Sequence, residues 1–152
     1  SVMAAKAHAK VTAIDFSYAA VENTRINAEI NKTTINLIHS DLFTNLEDDI
    51  YDWIIINPPY YAQELKKESD LAWYCGTHFE YFQKLFQDLQ RFLHARSTVL
   101  MVLTRGCDLK RIFSIGNAAG FRFELIDEKN AFFDGKDFLF SLKFTAFDKA
   151  EV

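Results

Sequence analysis

The run Asp52-Trp-Ile-Ile-Ile56 stops at Asn57-Pro58-Pro59-Tyr60, and these are the only two prolines of the chain. A near-continuous β-branched run is the pattern of a strand covered on both faces, as in a parallel sheet. Two consecutive prolines fix two φ angles and remove two N–H donors, so neither strand nor helix can continue through them. The chain must therefore place a strand in a sheet interior and end it at a rigid, acceptor-rich corner. Asn57 offers a side-chain carbonyl and Pro58 a backbone carbonyl, and together they can accept both hydrogens of one planar NH₂ group. Tyr60 can stack on the plane that carries such an amine. An amide or exocyclic amine nitrogen is a poor nucleophile because its lone pair is delocalised, and two acceptors favour the positive charge that develops as it attacks. A Pro-Pro turn that merely ends a strand is the simpler reading of the tetrapeptide taken alone.

The pattern around this corner is that of alternating strands and helices. Val2–Ala9 is alanine-rich and reads as the second half of a helix. Lys10–Asp15 reads as a short buried strand ending in an acid, Ser17 caps a helix to about Asn31, and Ile35–Ile38 is a second strand leading to His39-Ser40-Asp41-Leu42-Phe43. Beyond Tyr60, residues 61–76 are polar and irregular. Thr77-His-Phe-Glu80 reads as a capping box opening a helix whose Phe79, Phe82, Phe86, Leu89 and Leu93 form one apolar face lying flat on the sheet. Thr98–Leu103 is a buried strand, Asp108–Ala119 a helix, and Gly120 its C′ residue. Phe121–Ile126 and Phe138–Phe147 read as strands joined around Asp134-Gly135, a hairpin signal. With 152 residues and no linker composition, the expectation is one domain spanning 1–152. Its fold class is α/β: an open, mostly parallel Rossmann-like sheet with a C-terminal antiparallel hairpin and helices on both faces.

In such sheets ligands bind beyond the carboxyl ends of the strands. That rule selects Asp15-Phe16, Asp41-Leu42-Phe43 and Asn57–Tyr60. Asp15 can hold the two hydroxyls of a ribose, or serve as a helix-start residue beside Ser17. Phe16 can cover an adenine face, although an aromatic after a strand is usually core. The Asp41 carboxylate can accept from an adenine amino group while the backbone N–H of Leu42 meets a ring nitrogen, although Asp in such a turn is also a common cap.

Composition narrows the remaining choices. Lys and Arg total 17 against 21 Asp and Glu, a net charge of −4, so no net positive field gathers nucleic acid, and a polynucleotide partner would need a local patch or another domain. None of the five glycines (76, 106, 116, 120, 135) forms a G-x-G pair, which excludes a phosphate-cradling loop within this sequence. Cys75 and Cys107 make no framework or C-x-x-C pair, and no stretch is long enough to span a membrane, so a reducing, cytoplasmic setting is expected. His8, His39, His78 and His94 lack ligand spacing, and no metal site is expected. Phe132, Phe133, Phe138, Phe140 and Phe144 read as core rather than as a stacking surface. Lys66-Lys67 can touch a phosphate but read more simply as solvated surface.

Asp15, Asp41 and Asn57–Tyr60, in this order after successive strands, resemble the class I S-adenosylmethionine-dependent methyltransferases, specifically the branch with an N-P-P-Y motif. The resemblance spans nearly the whole chain. It implies S-adenosyl-L-methionine as cofactor, with Asp15 and Phe16 at its ribose and adenine, Asp41 and Leu42 at the adenine edge, and Asn57 contributing. It implies Asn57, Pro58, Pro59 and Tyr60 as the catalytic corner that holds the amino group to be methylated. The acceptors it implies are adenine N6 or guanine N2 in RNA or DNA, or a glutamine amide of a protein such as a release factor. The family opens with a strand and a glycine-rich loop that this sequence lacks. That strand would lie between those ending at Asp15 and Ile56, and an upstream segment carrying it is expected. A non-catalytic scaffold that keeps the fold is the alternative.

Overall fold

In the computed structural model, residues 1–131 and 135–146 are described, and they form two units, Ser1–Glu47 and Asp48–Val152. In the first, a short helix α1 (Val2–Lys6) precedes β1 (Thr12–Asp15), α2 (Tyr18–Ile30) and β2 (Asn36–His39). β1 and β2 pair in parallel from Thr12 opposite Asn36 to Asp15 opposite His39, so the acid and the imidazole finish side by side. Ser17 caps α2, its hydroxyl accepting from the Ala20 N–H at 3.4 Å. Past the Asn31 C-cap, Lys32 takes a left-handed φ of 53°. That is the conformation a helix end wants at this position, but glycine adopts it more cheaply than a residue with a Cβ.

The second unit holds β3 (Trp53–Ile56), α3 (Glu80–Asp88), β4 (Thr98–Thr104), α4 (Leu109–Ala118), β5 (Phe121–Ala131) and β6 (Gly135–Phe144). The strand order is β3-β4-β6-β5, with β3 and β4 parallel and β6 antiparallel to both β4 and β5. The α/β class and the terminal antiparallel pair are thus as the pattern predicts. Direct register partners share a face, which puts Ile56, Met101, Phe140 and Leu142 on one side. That side is covered by α3 and α4: Phe86 packs on Phe121 and Phe123, and Phe113 on Phe123 and Phe140, at ring separations of 4.6–5.8 Å. Phe82, Phe86, Phe92 and Phe121 are almost wholly buried, each contributing about 1.5–3 kcal/mol to stability. The opposite side carries Trp53 and Ile55, which remain 62% and 71% exposed. Gly116 lets α4 approach β5, since a Cβ there would lie 2.5 Å from Phe123. Gly120, with φ 88°, ends α4 as expected.

Several local expectations give way to the structure. Thr77 does not cap α3. The N-cap is Phe79, held at φ 63° and buried, and the Glu80 carboxylate accepts instead from the His78 N–H at 3.0 Å. Burying the Phe79 ring offsets a backbone conformation unfavourable for a residue with a Cβ. α3 ends at Asp88 and continues as a 3-10 turn, Leu89–Phe92, which still buries Leu89, while Leu93 follows beyond it. Residues 61–76 are not wholly irregular: they contain a 3-10 turn, Glu68–Ala72, and a bridge between Tyr61 and Tyr74. The hairpin strands reach Ala131 and begin at Gly135, longer than their apolar runs suggested. Phe132, Phe133, Asp134 and Phe147 lie outside the described residues.

Candidate functional site

Asn57–Tyr60 leaves the carboxyl end of β3, beside the end of its parallel neighbour β4. Pro58 is less than 2% exposed and Pro59 is buried, whereas Asn57 is exposed and Tyr60 half-buried. The prolines are therefore the fixed base of the corner and the polar groups its accessible rim. The backbone beyond is pinned, because the N–H groups of Tyr60 and Tyr61 both donate to the Trp73 carbonyl, at 3.0 and 2.9 Å. Cys75 N–H donates to the Tyr61 carbonyl at 2.9 Å. Gly106, just past β4, sits against the Tyr61 ring, where a Cβ would come within 3.4 Å.

The polar groups of the corner are unevenly engaged. The Tyr60 hydroxyl donates to Asn57 Oδ1, a bond that spans the two prolines. The Pro58 carbonyl accepts no hydrogen bond among the described residues, although its residue is almost wholly buried. Buried carbonyls are nearly always paired, so this one stands out as an acceptor with unused capacity. Burial holds the Tyr60 phenol above its ordinary pKa, aided by the Asp137 carboxylate, so it stays protonated and able to donate. Asp137 lies far from the corner in sequence, and no motif marks it. Its signal was the antiparallel register, which sets Asp137 opposite Thr104 at the end of β4.

Cys107 donates its thiol to the Thr104 carbonyl at 2.8 Å, and burial raises its pKa. Burial likewise pushes the Cys75 thiol up to about 11. Both are buried, unpaired thiols of low nucleophilicity. No group of three metal-ligating side chains occurs among the described residues.

The acid-bearing turns of the first unit have their own geometry. Asp15 is exposed, and its Oδ1 accepts from the Ser17 N–H at 2.8 Å, which is the helix-start role. Its Oδ2 accepts no hydrogen bond among the described residues, so a diol can still be met by this carboxylate. Phe16 is 42% exposed rather than core, which leaves its ring open to a ligand face. Its carbonyl accepts from His39 Nε2 at 2.5 Å, and Tyr18 stacks on the His39 ring at 3.6 Å. This aromatic group around His39 was not expected from spacing, because only the β1–β2 register brings residues 16 and 39 together. After β2 the chain turns sharply. Asn45 Nδ2 donates to the His39 carbonyl at 2.9 Å, Asn45 N–H to Ser40 Oγ at 3.0 Å, and Thr44 Oγ1 to the Asp41 carbonyl at 2.7 Å. These bonds hold Leu42 at φ 50°, a strained conformation for leucine of the kind that gathers at functional turns. The Leu42 N–H makes no hydrogen bond among the described residues. An open carboxylate oxygen, an exposed ring and an unspent N–H are the groups that a ribose, an adenine face and an adenine ring nitrogen require. The residues present therefore fit S-adenosylmethionine.

Comparison with known proteins points the same way. A bifunctional methyltransferase of Rickettsia conorii is 40% identical over 63 residues, covering 40% of this chain and 12% of that protein. A tRNA1(Val) (adenine(37)-N6)-methyltransferase of Phocaeicola vulgatus is 28% identical over 107 residues, covering 67% of this chain and 45% of that protein. The chain thus spans less than half the length of these curated relatives. Among solved structures, a methyltransferase from Pyrococcus furiosus superposes with a TM-score of 0.69 at 23% identity, covering 93% of this chain and 66% of that one. A T. thermophilus 16S rRNA N2 G1207 methyltransferase, in complex with AdoMet and guanosine, superposes with a TM-score of 0.62 at 17% identity, covering 91% of this chain and 33% of that one. These likenesses establish the fold. The family model for the methyltransferase small domain matches residues 1–118, from α1 through α4 and including Asp15, Asp41 and Asn57–Tyr60, and the chain belongs to that family.

Proposed function

We propose that this protein is an S-adenosylmethionine-dependent N-methyltransferase whose acceptor is the exocyclic amino group of a base, adenine N6 or guanine N2, in a structured RNA. The observation that carries this reading is the pair of carbonyls at the end of β3, an exposed Asn57 beside the unpaired Pro58, on a base of two buried prolines. The corner suits a planar NH₂ because it offers two carbonyl acceptors, one for each of the two hydrogens. The names of relatives support the base amine: one is an adenine N6 methyltransferase of tRNA, and one solved neighbour an N2 methyltransferase of rRNA. The net charge of −4 favours a locally recognised RNA over sequence-independent duplex binding. Two unpaired buried thiols support a reducing, cytoplasmic setting, and no helix among the described residues is long and apolar enough to cross a membrane.

The chain's own contribution is placement. Asp15 and Phe16 take the ribose and adenine face of the cofactor, and Asp41 and Leu42 its adenine edge. When bound, the cofactor supplies an activated methyl group on a sulfonium sulfur. Asn57 Oδ1 and the Pro58 carbonyl accept the two amine hydrogens, which orients the nitrogen and stabilises charge developing on it, while the Tyr60 ring stacks on the base. No strong base is needed, because the nitrogen becomes acidic as it acquires positive charge and its proton passes to water.

Calorimetry with S-adenosylmethionine, followed by transfer of its labelled methyl group to in vitro transcribed tRNA and rRNA, tests the reading. Cofactor binding and label in RNA are expected. No binding would mean a scaffold that keeps only the fold, and label in a glutamine side chain of a release factor would move the acceptor to protein.

A further inference from the structure

The Tyr60 hydroxyl is bonded to Asn57 Oδ1, the atom that must receive the acceptor amine. The bond runs from the fourth residue of the corner back to the first, across Pro58, whose carbonyl is buried and unpaired among the described residues. In this closed arrangement one acceptor is engaged from within, with the Tyr60 hydroxyl seated where an incoming amine would bond, and the other is buried. We propose, building on the reading above, that the Tyr60 hydroxyl is a resident competitor for Asn57: it holds the corner shut without a ligand, and a planar NH₂ opens it by exchange. Opening breaks one hydrogen bond, Tyr60 O–H to Asn57, and frees both carbonyls. An NH₂ group then forms two bonds, one to Asn57 Oδ1 and one to the Pro58 carbonyl, a net gain of one. A group with a single N–H recovers only the bond that was broken, and a group with none recovers nothing.

The phenol is suited to this exchange. Its surroundings keep it protonated, so it donates throughout the neutral range. Its neighbour on the chain side is fixed, since the Tyr60 N–H is tied to the Trp73 carbonyl at 3.0 Å, so the ring moves by side-chain rotation while the backbone stays. The released ring is then free to stack on the base. After methylation the acceptor nitrogen keeps one hydrogen, the net gain disappears, and the hydroxyl returns to Asn57 as the product leaves. Tyr60 is thereby a specificity-determining residue as well as a stacking platform.

Tyr60→Phe keeps the ring and deletes the competitor. Removing one hydrogen bond from the closed state should lower the KM and the equilibrium Kd for acceptor RNA roughly three- to tenfold, read independently of kcat. Adenosine and N6-methyladenosine, used as competing nucleosides, should bind the variant more tightly, and N6,N6-dimethyladenosine should not. Circular dichroism and thermal melting of the variant confirm that the fold is kept. An unchanged or raised Kd for acceptor RNA in Tyr60→Phe would overturn the inference. If the wild-type protein methylates no RNA, the acceptor reading fails instead, and the contact is then judged directly on protein labelled with ¹³C at tyrosine Cζ. Asn57→Ala should shift the Tyr60 signal, and no shift would overturn the inference by itself.

Discussion

The acid-bearing turns after β1 and β2 and the proline corner after β3 all leave the carboxyl ends of parallel strands, yet they are built in opposite ways. The former are made of polar side chains that bond their own backbone: Asp15 takes the Ser17 N–H, Asn45 ties down Ser40 and His39, and Thr44 bonds to the Asp41 carbonyl. The latter is made of two buried rings without N–H groups, with a single side-chain bond across the top. A ligand held by charge and hydroxyl bonding tolerates an adjustable, exposed carboxylate. An amine that must be presented along one line needs acceptors that cannot turn away. On the function proposed above, the first region supplies affinity and the second turnover.

That division can be broken by substitution. Asn57→Ala should lower methyl transfer by roughly 10²–10³, in line with losing one preorganised polar contact, while changing cofactor affinity far less. Kinetics with labelled cofactor measure the first quantity and calorimetry the second, and a loss of affinity matching the loss of turnover would erase the distinction. Asp15→Asn keeps an oxygen for the Ser17 N–H but removes the charge. It should weaken cofactor binding about tenfold, the difference between a charged and a neutral hydrogen-bond acceptor, and leave the melting temperature in place. Lys32→Gly touches neither region. By relieving the left-handed lysine at the end of α2 it should stabilise the first unit by about 1 kcal/mol in denaturant unfolding, with no effect on transfer.

Much of this was legible in the sequence because it is carried by local rules. The Ile54–Ile56 run, the double proline, Ser17 before α2 and Gly120 after α4 each specify a strand, a corner, a cap and a stop without reference to distant residues. The features that escaped depend on register or on packing. His39 joins Phe16 and Tyr18 only because β1 and β2 pair in parallel with Asp15 opposite His39. Asp137 influences Tyr60 only because β6 runs antiparallel to β4. The Thr77 capping box failed because burying Phe79 at a left-handed N-cap outweighed a side-chain cap that local pattern favours. Most telling is Tyr60, whose ring was expected to stack but whose hydroxyl was not expected to fill the acceptor three residues before it.

On the function proposed above, the corner after β3 holds an exocyclic NH₂ for methylation. Wild-type protein incubated with deuterated-methyl S-adenosylmethionine and transcribed RNA, followed by digestion to nucleosides and mass spectrometry, tests it most directly. The label should appear as N6-methyladenosine or N2-methylguanosine, and should disappear with Asn57→Ala. Label on a ring carbon, a ring nitrogen or a ribose oxygen would contradict the claim, because none of those positions presents two hydrogens to Asn57 and Pro58.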